Sequence, residues 1–336
     1  MPVLVTGSVQ KYAWGDTSFI PSLLGLPVDG SPHAEWWLGT HPVAPSVVVG
    51  TGAPLESVTG PMRMLAKVLS CAQPLSLQTH PTTAQARAGF AREESAGMAA
   101  DDPRRNYRDD SAKPEMLIAL TEFEALCGFD DIDSNVEQLK SYGWNEEAEV
   151  LDMNGTDGYV LWAFDQRTPA DVTRCPRWLQ DIAALWPADP ALRVAPLLNR
   201  VQLAPGEAIV LPAGNLHAYL RGTGLEVMAS SDNVIRAGFT AKHVDVAELQ
   251  RVMDTSELQQ PKSGPQGNIY AGPDGAFDVE RLDIAGSAVV TTDAITVLVR
   301  TSGTVEGLAP DQAMVMMPGE SVDLRGNATV WACRQR

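Results

Sequence analysis

The chain has 336 residues, enough to bury a large core and to divide into two or three lobes. It is 44% hydrophobic and 20% charged, the profile of an ordinary globular protein. Its formal net charge of -17 argues against any general role on nucleic acid or anionic membrane, because both would repel it, so an anionic ligand must meet a local cluster of Lys or Arg. The opening MPVLVTGSVQKYAWG lacks a basic leader followed by an apolar stretch, and no uncharged apolar run is long enough to span a bilayer; a cytoplasmic protein is expected. Cys71, Cys127, Cys175 and Cys333 are scattered without a C-x-x-C pair, which suits reduced thiols.

Residues 1 to 80 carry short apolar runs broken by Gly and Pro, a strand-and-turn texture with a brief helix around 18 to 25. After His80, PTTAQARAGFAREESAGMAA opens with Thr residues suited to N-capping and continues with helix formers, predicting a helix over about 83 to 97. Residues 98 to 112 are charged and loop-like. KPEMLIALTEFEALCGF returns to β-branched, aromatic and apolar residues and reads as two strands with a turn. From 130 to 195 the texture becomes helical: Asp133 and Ser134 precede NVEQLKSYGW, and TPADVTRCPRWLQDIAALWP has apolar residues at helical spacing. This insertion is expected to be a packing layer.

Strands resume at RVQLAPGEAIVLPAGNLHAYL and continue through TGLEVMASSDNVIRAGFT, with a helix in DVAELQRVM. From about 255 the chain again shows short strands. Pro205-Gly206-Glu207 before AIVLPAG is echoed by Pro318-Gly319-Glu320 before SVDLRGN, a weak sign of a repeat. The expected fold is mainly β: a cupin-type antiparallel jelly-roll barrel with a metal site, formed by residues 1-129 and 196-254, then a helical insertion at 130-195 and a second, metal-free β barrel at 255-336.

Three remote stretches offer metal ligands: Gln78 and His80 in LSLQTHP, Glu115 in AKPEML, and His217 in AGNLHAYL. The chain has only five histidines. Gln78 and His80 are two apart and share a strand face. Zinc accepts imidazole nitrogen and carboxylate oxygen, can add an amide oxygen and water, and keeps a position open for substrate. His33, His41 and His243 are expected at the surface or behind the ligands. Trp14, Trp36 and Trp37 are expected in core or pocket wall.

The motifs YAWGDTSFIPSLLG, AEWWLGTHPVAPSVV, LAKVLSCAQPLSLQTHP, KPEMLIALTEFEALCGF and GEAIVLPAGNLHAYLRGTGLEVMASSDNVIRAGFTAKHVDV together resemble the type I mannose-6-phosphate isomerases of the cupin superfamily. The resemblance implies a zinc-dependent, reversible interconversion of mannose 6-phosphate and fructose 6-phosphate, which links glycolysis to mannose metabolism and GDP-mannose biosynthesis. It implies one zinc ion per chain on Gln78, His80, Glu115 and His217, substrate or phosphate contacts from Lys67 and Ser76, an active-site role for Lys113 and a catalytic role for Arg236. The family commonly has a His before Lys-Pro-Glu where this chain has Ala112, so that His cannot be the proton carrier here.

The chemistry needs an electrophile, a proton carrier and an anion clamp around a cis-enediol. Arg236, Lys113 and Glu226 are the candidates by motif. Arg236 suits charge stabilisation, Lys113 faces the same side of its strand as Glu115 with a pKa open to depression by zinc, and Glu226 suits a carboxylate base or a supporting partner. Ser76 shares the face of Gln78, Lys67 could sit on the preceding strand, and Lys242 is a further cation for the phosphate. Arg236 could instead merely pair with Asp232. The expected partner is a small sugar phosphate, with no nucleic acid or membrane, bound by a monomer. Two other functions fit part of the pattern: a two-His-one-carboxylate Fe(II) oxygenase, and a non-catalytic sugar-phosphate sensor whose metal only braces the barrel.

Overall fold

The computed structural model describes residues 2–336, mostly strand, arranged in two antiparallel sheets with helices against one of them. One sheet has seven strands. Its centre is the long hairpin-like pair Phe277–Thr291 and Ser321–Gln335, followed by Thr296–Val305 and Gln312–Met316, and its far edge is built from Val3–Thr6 and Val47–Val48. The other sheet has eleven strands and contains Ser8–Gln10, Glu35–Leu38, Met64–Cys71, Leu77–Thr79, Glu115–Ala119, Phe123–Phe129, Leu198–Leu203, Ala208–Leu211, His217–Ala229 and Ile235–Gly238.

The N-terminal strand therefore departs from the expected division at residue 255. Val3 lies opposite Val315 in the seven-stranded sheet, while Lys262–Ser263 crosses the other way to pair with Ala208–Ile209. Hydrophobic burial explains the exchange: Val5, Trp36, Ala66, Val227, Tyr270, Val297 and Trp331 share one core drawn from both sheets. Splitting the chain there would expose that core.

The strand His217–Ala229 determines where the site lies. Its first residues pair with Phe123–Phe129 and with Gln78, and the rest pairs with Met64–Cys71 and Glu115–Ala119. The register shifts between Tyr219 and Arg221, and Gly222 follows at φ 117°. A side chain at Gly222 would press on the carbonyl oxygen of Glu122 at 2.5 Å, so glycine is what lets the strand change partners.

The helix Thr83–Ser95 starts with a capping box between Thr82 and Gln85. The helical stretch comprises Ile132–Tyr142, Asn145–Asp165 with a break at Gly155, Arg177–Leu185 and Ala191–Val194. Its start differs from the expectation at Asp133: Asp131 is the cap, accepting from the amide of Ser134 at 2.8 Å, and Asp133 lies in the first turn. Leu139, Leu151, Tyr159, Leu179 and Leu192 pack with Leu126, Phe129, Ile235 and Phe239, so these helices form a layer against the site-bearing sheet. The Pro-Gly-Glu echo proves to be one turn used twice. Gly206 and Gly319 have φ 90° and 84°, and the carboxylates of Glu207 and Glu320 accept from the amides of Ala204 and Met317 at 2.8 and 2.9 Å.

Gly89 lies on the helix Thr83–Ser95, directly over the ring of Tyr107. Tyr107 is fully buried, its hydroxyl donating to Glu248 at 2.5 Å and its amide to Glu93 at 3.0 Å, so the ring is held at both ends. Alanine in a helix interior normally gains about 1 kcal/mol over glycine. Overpacking against a fixed ring costs about 1–3 kcal/mol, and this term should win. Gly89→Ala is expected to lose about 1 kcal/mol in urea unfolding; a gain in stability would show that the ring yields.

Candidate active site

Three strand ends deliver the residues singled out by the sequence. Leu77–Thr79 carries Gln78 and leads directly into His80, while Glu115 and His217 each begin a strand. Gln78 is opposite His217 on one neighbour and Arg236 on the other, which puts the three on one face. His80, Glu115 and His217 are each 2% exposed, and their ligand atoms lie within 4.8 Å of one another. The oxygen of the Gln78 carboxamide accepts from the hydroxyl of Ser76 at 2.9 Å.

The two imidazoles are oriented from behind. Nδ1 of His80 faces the carbonyl of Asn233 at 2.8 Å, and Nδ1 of His217 faces the carbonyl of Asn215 at 3.0 Å. A nitrogen facing a carbonyl must carry the proton, so each Nε2 presents a lone pair. Both Nε2 atoms are buried without a hydrogen-bond partner, 3.2 and 3.6 Å from Oε2 of Glu115. Unpaired buried acceptors are costly, about 1–3 kcal/mol each, and two of them beside a carboxylate form a donor set that fits a borderline divalent cation such as zinc.

Burial alone would raise the pKa of Glu115, but the imidazoles of His80 and His217 whenever they carry a proton, together with the Lys113 ammonium, overcome it and hold the carboxyl well below the usual range. The Lys113 ammonium is 2.8 Å from Oε1 of Glu115, on the expected side. His217 is pushed down to about 4 by burial and by the proximity of His80.

Behind the ligands is an enclosed ionic layer. Lys67 lies 3.5 Å from Glu35 and 3.2 Å from Glu226, and its pKa is raised because the two carboxylates outweigh its burial. Glu226 is raised by burial against the opposing pull of Lys67, and it accepts from the Tyr219 hydroxyl at 2.8 Å. The Trp37 indole donates to Glu35 at 2.8 Å. Lys67, assigned by the sequence to the substrate phosphate, thus already has two carboxylates around it.

Arg236 has no carboxylate partner among the described residues. Asp232, its alternative partner, instead contacts His41 at 3.2 Å. Burial and the nearby Arg108 lower the pKa of Arg236, and burial, Arg236 and Arg108 lower that of Lys242. Arg108 donates to the carbonyls of Ala100 and Asp102, not to an acid. The three cations therefore repel one another, and although Asp232 partly offsets the charge at Lys242, none of the three forms a salt bridge with a carboxylate among the described residues. Reading the sequence missed Arg108, Glu35, Tyr219 and Asn233; Arg108 had only its place in the charged loop 98 to 112 to mark it. His33 and His41, expected at the surface or behind the ligands, are buried, whereas His243 is exposed.

Ala112 and Pro114 line a cavity of about 410 Å³ whose walls include none of the three ligands. Lys113 and Glu115 meet each other at the site, while Ala112 and Pro114 face this cavity. The missing His at 112 thus leaves the ligand set intact. No helix is long and apolar enough to cross a membrane among the described residues.

Residues 51–132 match the family model for the catalytic domain of phosphomannose isomerase type I. The chain is 32% identical over 370 residues to mannose-6-phosphate isomerase of Escherichia coli K12, covering 95% of this chain and 94% of that protein. It is 28% identical to the Rattus norvegicus enzyme of the same name, covering 90% and 88%. Among solved structures, an alanine variant of phosphomannose isomerase from Salmonella typhimurium superposes with a TM-score of 0.88 at 26% identity, covering 100% of this chain and 99% of that one. A zinc-bound mannose 6-phosphate isomerase superposes with a TM-score of 0.84 at 26% identity, covering 99% and 100%.

The depressed His217 has a consequence for the metal-free protein. Below its ordinary pKa of 6.5 the unfolded chain takes up a proton that the folded side chain refuses until about pH 4. This contribution to stability is complete above 6.5 and is lost as pH falls toward 4. In chelator, the urea midpoint should fall through this window, and less steeply for His217→Asn. Identical slopes for the two proteins would refute the assignment.

Proposed function

The chain belongs to the type I phosphomannose isomerase family, and on that footing we propose that it interconverts mannose 6-phosphate and fructose 6-phosphate at a site built around one zinc ion per chain. The observation that carries this reading is the convergence of His80, Glu115 and His217 with two buried, unpaired Nε2 atoms. Gln78, on the same face as His217, completes the proposed ligand set. A zinc ion held there supplies a Lewis acid that polarises and orients the sugar oxygens.

Aldose and ketose differ by one proton moved between adjacent carbons and another between their oxygens, and we assign the path to a cis-enediol. Arg236 stabilises the developing oxyanion: it is half-buried, unpaired and across from Gln78. Glu226 is our candidate for the carbon-bound proton, as a buried carboxyl whose pKa burial raises against the pull of Lys67. Lys113 fixes the orientation of Glu115.

The phosphate dianion calls for cations that lack carboxylates. Lys242, Arg108 and Arg236 meet that condition, and Lys67 does not. Lys67 instead keeps Glu35 and Glu226 together behind the ligands, and Ser76 holds the Gln78 amide. Such a reaction would connect glycolysis with mannose metabolism.

A coupled assay of mannose 6-phosphate turnover tests the proposal. Activity should disappear on chelation and return with zinc; activity indifferent to chelation would rule out the metal. Arg236→Ala should lower turnover at least about 100-fold with zinc content unchanged. Near-normal turnover in that variant would remove Arg236 from the chemistry.

A further inference from the structure

Asn233 is fully buried and joins two parts of the site that are far apart in sequence. Its main-chain carbonyl accepts from Nδ1 of His80 at 2.8 Å, which fixes that ring's tautomer and aims Nε2 at Glu115. Its side chain does something separate. The carboxamide oxygen accepts from the amides of Arg108 and Asp109 at 2.7 and 3.2 Å, and the nitrogen donates to the carbonyls of Asp109 and Ser111, both at 2.8 Å.

Residues 108 to 111 form no strand or helix, so their backbone groups have no ladder to satisfy them. The Asn233 side chain supplies donors and acceptors in the place of a neighbouring strand. Lys113 and Glu115 follow immediately, on the side facing the imidazoles. One residue thus holds His80 with its backbone and the approach to Glu115 with its side chain.

We infer that Asn233 is a positioning residue that sets the distance between His80 and Glu115 and thereby the affinity and geometry of the metal site. The inference rests on the metal reading above. A carboxamide is suited to the task because it offers two donors and two acceptor lone pairs in one plane. Alanine at this position would keep the carbonyl to His80 and remove the side-chain hydrogen bonds to residues 108–111, leaving those from Ser231 and the Asp232 amide to the Asp109 carboxylate, so that the approach to Glu115 loosens. Aspartate keeps the acceptor but loses the donors, and it sets a negative charge against the carbonyls of Asp109 and Ser111.

The test compares zinc affinity, by competition with a chromophoric chelator, and the visible spectrum of the cobalt-substituted protein for wild type, Asn233→Ala and Asn233→Asp. We expect zinc binding about 10- to 100-fold weaker in Asn233→Ala, an altered cobalt spectrum, and an intermediate loss in Asn233→Asp. If Asn233→Ala does not fold, Asn233→Asp decides. A folded variant that is less stable but binds zinc with wild-type affinity and spectrum would overturn the inference and leave Asn233 a purely structural residue. Wild-type protein that binds no zinc would instead sink the metal reading itself.

Discussion

A carboxylate that is 2% exposed must have its charge answered nearby, and much of the local structure around Glu115 serves that demand. Lys113 meets one of its oxygens, and two imidazoles with free lone pairs stand by the other. Protonating the buried His217 is opposed by its surroundings. The two Nε2 atoms are left without partners beside that carboxylate, a donor set that fits a divalent cation. The same demand recurs one layer deeper, where Lys67 holds Glu35 and Glu226.

How much of this was legible in the sequence follows from the range of each interaction. Gln78, His80, Glu115 and His217 were readable because they sit at the ends of apolar strands in a chain with few histidines. The helix after His80 announced itself through the Thr82 cap, a purely local signal. By contrast, the neighbours of Lys67 are set by strand register: Glu226 is paired with Lys67 across the sheet, and Glu35 comes from the next strand over. No local pattern encodes that. Arg108 was hidden for a different reason, since an arginine in a charged loop is ordinarily a solvated one. The place of Val3–Thr6 in the seven-stranded sheet depends on residues near 315 and could not be read from either segment alone.

The helical layer contributes more than packing. Asp189 accepts from the amide of Phe239 at 2.6 Å and from that of Ala191 at 2.9 Å. Phe239 has a φ of 55°, unusual for a bulky residue, and Gly238 before it has no room for a side chain against Ala191 and Asp189. This strained corner directly follows the strand bearing Arg236 and leads to Lys242. Helices drawn from the middle of the chain thus buttress the segment that presents two of the three unpaired cations.

The pairing of Val3–Thr6 with Gln312–Met316 bears on how the protein is made. The early strand can pair with Val47–Val48 soon after it is made, but its other edge has no partner until residues 312–316 have been translated, and closing so large a loop is entropically slow. Until then that one open β edge, on a strand with an apolar side, is exposed to other nascent chains. Completion of the shared core is thereby deferred until residues 312–316 are available, and with it the point at which the newborn molecule stops needing protection from aggregation.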